Sequence, residues 1–315
     1  MMYVWLVVGF VLLIKGADFF VDGSSAAAKM LKIPPLIIGM TIVSMGTSLP
    51  ETSVSVSAAL ADKNELAVSN AVGSNIFNLM VVCGICAILC PMAINKATLK
   101  RDFPISIAAA GLLMGLGSLG MTVGHLDGAV LLVLFLAFLL MMILSARKSR
   151  EEAGEGEDYK TMPVWKLLVF MIGGIAAIAV GGKMVVESAS DIAREFGMSD
   201  NLIGLTIVAM GTSLPELVTS IVAARKNEVD MALGNVVGSN IFNILFVLGI
   251  ASAISPISFS MENVVDTAVL IVMSVIVLLF AASKKKLVRA HGIAMLLMYA
   301  AYTVYIIARA GIISL

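Results

Sequence analysis

Charge is scarce in this 315-residue sequence, at 13% of positions, and its 21 lysines and arginines are matched by 21 aspartates and glutamates. Such a balance excludes recognition of nucleic acid or of an acidic partner through bulk charge. With 60% hydrophobic residues and a mean hydropathy of +1.03, a soluble globular domain is excluded too. The chain is an integral membrane protein whose first partner is the lipid bilayer. Histidine and cysteine are nearly absent, at two and three residues. Neither His125 nor His291 lies in an apolar run, so both are expected at the membrane interface. The cysteines crowd into the apolar segment CGICAILC as Cys83, Cys86 and Cys90. Without a fourth strong ligand they read as packing residues rather than a redox or metal motif.

About 20 apolar residues cross a bilayer. On that measure ten spans fall near 2–28, 35–60, 66–90, 103–121, 126–146, 164–193, 200–224, 230–254, 263–283 and 289–312. The opening segment lacks the basic flank and cleavage site of a signal peptide and is read as a retained first span. One extended polar stretch, RKSREEAGEGEDYKTMP, divides the chain. Residues 1–147 form a first five-span repeat, 148–163 a flexible linker and 164–315 a second five-span repeat.

The halves are copies. GTSLPE occurs at 46–51 and again at 211–216, and Asn243 follows Asn78 by the same 165 residues that separate Glu216 from Glu51. Segments 39–55 and 204–220 share 12 of 17 residues, and 69–80 and 234–245 share 8 of 12. The agreement includes the polar positions, which apolar composition alone would not produce. Basic residues gather on one set of connections: Lys29 and Lys32; Lys96, Lys100 and Arg101; the linker; Arg225 and Lys226; Lys284, Lys285, Lys286 and Arg289. The other set holds Lys63, Arg194 and Arg309. The first set is therefore expected in the cytoplasm, with linker 148–163, and both termini outside a cell (inner or plasma) membrane. Five spans per copy is an odd number, so the second copy enters from the opposite side. The fold class expected is all-α integral membrane, with ten transmembrane helices in two inverted five-helix repeats and broken helices at the midplane.

Pro50 and Pro215 lack an N–H, so the carbonyls of Gly46 and Gly211 lose their helical partners. Broken backbone is tolerated in a bilayer only where it is buried or lines a cavity. A carboxylate, Glu51 or Glu216, follows each break, and intramembrane carboxylates mark ion or proton pathways. In NAVGSNIFN, residues Asn70, Ser74 and Asn78 recur at i, i+4 and i+8 and share one helix face, as do Asn235, Ser239 and Asn243. Hydrogen bonding between helices is the plainer role for such residues, for Asn70 and Asn235 above all. Together the copies offer carboxylates, carbonyls, hydroxyls and amide oxygens. These are hard ligands, suited to calcium and sodium and unsuited to zinc or copper. An organic anion would call for Arg or Lys at the midplane.

GTSLPE followed by GSNIFN, in both halves, resembles the alpha-repeats of the cation/calcium antiporter superfamily, and the sodium/calcium exchanger branch in its prokaryotic form especially. The resemblance covers the whole ten-span plan. It implies a calcium site of the Glu51 and Glu216 carboxylates with the Thr47 and Thr212 carbonyls. It implies flanking sodium sites drawn from Ser44, Ser48 and Ser74 on one side and Ala209, Ser213 and Ser239 on the other. Asn78 and Asn243 complete the oxygen set. Position 44 is Ser where 209 is Ala, which suits a ligand role for backbone oxygen. Some relatives, the potassium-dependent branch typically, carry Asp where this chain has Asn243, so the central charge is lower here.

The expected function is sodium/calcium antiport by alternating access, with calcium and sodium as transported ions, no cofactor, and a monomer sufficient for transport. Two bare carboxylates about 5 Å apart at an effective dielectric near 20 repel by roughly 3 kcal/mol. One calcium or two sodium ions neutralise them and let the barrier close. The long, small-residue-rich first and sixth spans are expected to slide against the core. Asp18, Asp22, Lys183 and Glu187 either line the entrances or pair structurally. A proton/calcium exchanger with the same carboxylates is the alternative, though such exchangers usually carry an Asn-bearing variant of GTSLPE. A cation channel seldom needs inverted broken helices. A serine hydrolase would need a His or Lys base that neither motif has nearby.

Overall fold

A chain surrounded by hydrocarbon must satisfy its backbone polar groups internally, and helices do so within one segment. The structure, a computed structural model, describes residues 1–61, 65–153, 162–198 and 203–309. It is built almost wholly of helices. In the first half these are α1 (Met2–Leu31), α2 (Pro35–Thr47), α3 (Leu49–Leu60), α4 (Leu66–Leu89), α5 (Phe103–Ser118) and α6 (His125–Ala153). The second half has α7 (Val164–Glu195), α8 over 203–211, α9 (Leu214–Arg225), α10 (Val229–Ile254), α11 (Met261–Lys284) and α12 (Arg289–Arg309). Among the described residues seven helices, α1, α4, α6, α7, α10, α11 and α12, are long and apolar enough to cross a membrane. The other three expected spans fall on shorter pieces: the 16-residue α5 and the interrupted pairs α2–α3 and α8–α9.

One boundary differs from expectation. Helix α6 runs on to Ala153, so 148–153 are helix rather than linker, with Lys148 and Glu152 paired across one turn at 3.9 Å. Residues 154–161 of the expected linker, and the start of the expected span at 200–224, lie outside the described residues.

Helices α4 and α10 form the centre, with 72% and 78% of their apolar windows buried against 17–39% for the other long helices. Around them α1 packs on α7 and α5 on α11, while α6 lies on the C-terminal half of α10 and α12 on that of α4. Strands β1 (Met92–Ala93) and β4 (Lys286–Leu287) pair antiparallel, as do β2 (Thr122–Val123) and β3 (Ile257–Ser258). Interchanging the two halves maps each of these pairings onto itself or onto another. π-helical turns recur at the same 165-residue offset, Gly39–Val43 with Gly204–Val208 and Asn78–Val82 with Asn243–Val247. Where α1 meets α7 the backbones touch: a Cβ on Gly181 would lie 2.6 Å from the Leu13 nitrogen, and one on Gly16 2.9 Å from the Gly174 carbonyl.

Candidate functional site

The proline breaks are shallow. Ser48 (φ −85°, ψ 15°) is the single residue between α2 and α3, while Thr212 and Ser213 separate α8 from α9. Pro50 and Pro215 sit at the second position of the new helices, where a missing N–H breaks no bond. Glu51 and Glu216 follow in the first turn, at the electropositive ends of α3 and α9, and both are fully buried.

Each carboxylate is held by the other copy. Ser48 donates its hydroxyl to Glu216 Oε1 at 2.7 Å, and Ser213 donates to Glu51 Oε1 at 3.0 Å. Ser74 reaches the same Glu51 oxygen at 3.5 Å, and the Ser239 hydroxyl lies 3.1 Å from that of Ser48. Asn70 Nδ2 donates to the Glu51 carbonyl at 3.3 Å and to Ser55 Oγ at 3.1 Å; Asn235 Nδ2 does the same to the Glu216 carbonyl at 3.5 Å and Ser220 Oγ at 3.0 Å. Bonding between helices, the plainer role weighed for Asn70 and Asn235, is thus what they perform.

Several oxygens in this buried cluster have no protein partner: Oε2 of Glu51, Oε2 of Glu216, Oδ1 of Asn78 and Oδ1 of Asn243. A buried acceptor without a partner costs about 1–3 kcal/mol, more when charged. Apart from the Asn78 Nδ2, which is also unpartnered, these are oxygens, two of them from carboxylates, and a hard cation is the species that such a set fits. Among the described residues, no three His, Cys, Asp or Glu side chains converge, so most donors here are neutral.

The twelve expected ligands are not equally placed. Glu51, Glu216, Ser48, Ser213, Ser74 and Ser239 share the contacts above. Thr47 donates to Asn235 Oδ1 at 3.1 Å, and so reaches the Glu216 carbonyl through Asn235, whereas Asn243 donates its Nδ2 to Asn75 Oδ1 at 3.1 Å, outside these contacts. Asn78 is buried with no partner for its amide. Ser44 bonds within its own helix, to the Thr41 carbonyl at 3.1 Å. Thr212 bonds the Ala209 carbonyl at 3.5 Å, and Ala209 itself is exposed. Identical motifs therefore have different surroundings. Helix α2 is packed into α10, with Val43 0% exposed, whereas its counterpart Val208 in α8 is 40% exposed. A Cβ on Gly238 of α10 would lie 2.6 Å from Met40 Cα, while one on its counterpart Gly73 would meet nothing within 4 Å.

Asn75 and Asn240 escaped the sequence argument. They stand one residue beyond Ser74 and Ser239, off the i, i+4, i+8 stripe, and their exact recurrence at the 165-residue offset was the available signal. Of the candidate entrance residues, all four are paired. Lys226 Nζ lies 2.6 Å from Asp18 and 2.7 Å from Asp22, and Lys183 lies 3.7 Å from Glu187. Partial burial pulls the Lys226 ammonium down, but hydrogen bonds to Asp18 and Asp22 more than offset it and hold it above the ordinary lysine value. Ser25 and Glu228 form a further bond beside it. Cys83 and Cys86 are buried free thiols, His291 stacks on Phe280 at 4.7 Å, and His125 Nδ1 lies 3.1 Å from the Ala253 carbonyl.

A multi-span membrane protein with paired carboxylates buried among neutral oxygens belongs to the class of cation transporters rather than enzymes. The model of the sodium/calcium exchanger protein family matches residues 1–144 and 166–308, and the chain belongs to that family of membrane antiporters. It is 40% identical to the inner membrane protein YrbG of Escherichia coli (strain K12) over 265 residues, covering 80% of this chain and 79% of that protein. It is 31% identical to the sodium/calcium exchanger MaX1 of Methanosarcina acetivorans, covering 95% of this chain and 96% of the relative. A solved structure of the sodium-calcium exchanger NCX_Mj superposes with a TM-score of 0.82 at 35% identity, over 100% of this chain and 98% of that one.

Proposed function

We propose that the protein exchanges sodium for calcium across the cell membrane, by alternating access to one site between two inverted five-span repeats. The repeats are 1–147 and 164–315, counting the interrupted pairs α2–α3 and α8–α9 as one span each. Glu51 and Glu216 bind calcium with the Thr47 and Thr212 carbonyls and the Asn78 and Asn243 amides. Sodium takes the same carboxylates with Ser48, Ser74, Ser213 and Ser239 and the backbone at Ser44 and Ala209. The observation that carries this is the reciprocal pair of bonds, Ser48 to Glu216 and Ser213 to Glu51, which makes one site from both copies. Ions that neutralise the carboxylates let the site close, and the bare pair resists closure, so transport is coupled in both directions.

The packing difference between α2 and α8 supports access from one side at a time. Helix α2 follows the basic connection at Lys29 and Lys32, and α10 follows that at Arg225 and Lys226. The side where they are packed is, on the positive-inside rule, the cytoplasmic one. The site thus faces outward, past α8. Both termini lie outside, and a monomer carries out the cycle.

Purified protein in proteoliposomes tests the driving ion. Calcium uptake is expected to follow an outwardly directed sodium gradient at constant pH. Uptake that needs a proton gradient instead would identify a proton/calcium exchanger, and no gradient-coupled uptake would remove the exchange reading altogether.

A further inference from the structure

Where α4 and α10 cross, two asparagines exchange bonds. Asn75 Nδ2 donates to the Asn240 carbonyl at 3.0 Å, and Asn240 Nδ2 donates to the Asn75 carbonyl at 3.3 Å. Both side chains are buried, at 0% and 3% exposure. The reciprocity ends at their side-chain oxygens. Asn75 Oδ1 accepts from Asn243 Nδ2 at 3.1 Å, whereas Asn240 Oδ1 and the amide of Asn78, which would form the equivalent bond, are buried without partners.

A carboxamide carries an acceptor oxygen on one arm and an NH₂ donor on the other. Anchoring the NH₂ of Asn243 on Asn75 leaves Oδ1 as its free arm, and that oxygen is buried with no protein partner. A half-turn of the amide would offer a cation the positive N–H end instead. We infer that Asn75 is a positioning residue: it sets which end of the Asn243 amide meets the transported cation, and so tunes calcium affinity without touching the ion. This rests on the exchange proposed at Glu51 and Glu216. An aspartate at position 243 has oxygen on both arms and needs no such guidance.

The test uses four full-length proteins: wild type, Asn75→Ala, Asn243→Asp and the double variant. KM and kcat for calcium are measured as sodium-gradient-driven uptake of radioactive calcium in proteoliposomes, with potassium present on both sides. Losing one oriented oxygen raises the calcium KM of Asn75→Ala about tenfold with kcat little changed. In the Asn243→Asp background the same substitution shifts KM by less than about twofold. An unchanged KM in Asn75→Ala overturns the inference. So does an equal rise in both backgrounds, which would mark Asn75 as mere packing. Should Asn75→Ala not purify as a monodisperse protein, Asn75→Ser replaces it, polar but one bond too short to hold Asn243. Wild type that takes up no calcium on a sodium gradient would contradict the exchange reading instead. Equilibrium calcium binding to the same four proteins then decides the role of Asn75, independently of the driving ion.

Discussion

At the scale of residues, the site is two carboxylates steadied by hydroxyls from opposite copies. Ser48 and Ser213 each give a hydrogen bond to a charged acceptor, a contact worth about 1.5–3 kcal/mol when buried. Ser48→Ala and Ser213→Ala are each expected to weaken apparent sodium affinity by about tenfold or more while the protein stays monodisperse. The sodium dependence of calcium uptake reads this, and an unchanged dependence would place sodium elsewhere. Charge count leads to a second expectation. In the proposed site Asn243 offers an oxygen but no charge, which leaves calcium alone to neutralise Glu51 and Glu216, and uptake should persist when potassium is replaced by choline. Asn243→Asp adds a charge and is expected to create a potassium requirement; wild type that stops without potassium would refute the charge argument. Glu51, Glu216 and the motif serines were legible in the sequence because polar residues recurred identically inside apolar runs. Asn75 and Asn240 recurred just as faithfully. They were passed over because the i, i+4, i+8 stripe places them off the face that carries the serines, and their partners lie on another helix.

At the scale of elements, hydropathy located the seven helices long enough to cross a membrane, and the chemistry of proline located both breaks. Their depth did not follow. Pro at the second position of a helix is nearly free of cost, so the chain resumes helix after one or two residues. The polar stretch after Arg147 has the composition of a linker, yet its Arg, Lys and Glu residues also favour helix, and α6 continues to Ala153. Least legible was the difference between copies, since GTSLPE reads the same in both. It shows in the glycines. Gly238 is wedged against Met40, where an added methyl costs about 1–3 kcal/mol by overpacking. Gly73 has open space, and Ala there gains up to about 1 kcal/mol of helix propensity. Gly73→Ala is therefore expected to leave thermal stability equal or higher. If the copies exchange surroundings during transport, it also slows turnover at least several-fold, because the methyl then meets α8. Turnover at the wild-type rate would contradict that exchange.

At the scale of the whole molecule, α1 and α7 cross through glycine contacts too close for any side chain. Lys226, with Asp18 and Asp22, ties α1 to the corner between α9 and α10. The pair is partly exposed, so Lys226→Met should cost no more than about 1 kcal/mol of stability. Because the lysine value is raised, this contribution is complete below the ordinary lysine pKa near 10.4 and fades only as pH rises through the raised value. Thermal unfolding of mutant and wild type from pH 6 to 9 should show a constant small gap, and a gap closing near neutrality would assign the clamp to another group.

The most direct test removes one charge at a time from the shared site. Glu51→Gln and Glu216→Gln keep the shape of the side chain but leave a bound calcium with an uncancelled charge in a low-dielectric setting. Each single variant, purified and monodisperse, should lose sodium-driven calcium uptake entirely in proteoliposomes. Uptake at the wild-type rate by either one would show that the two copies do not build the transport site together.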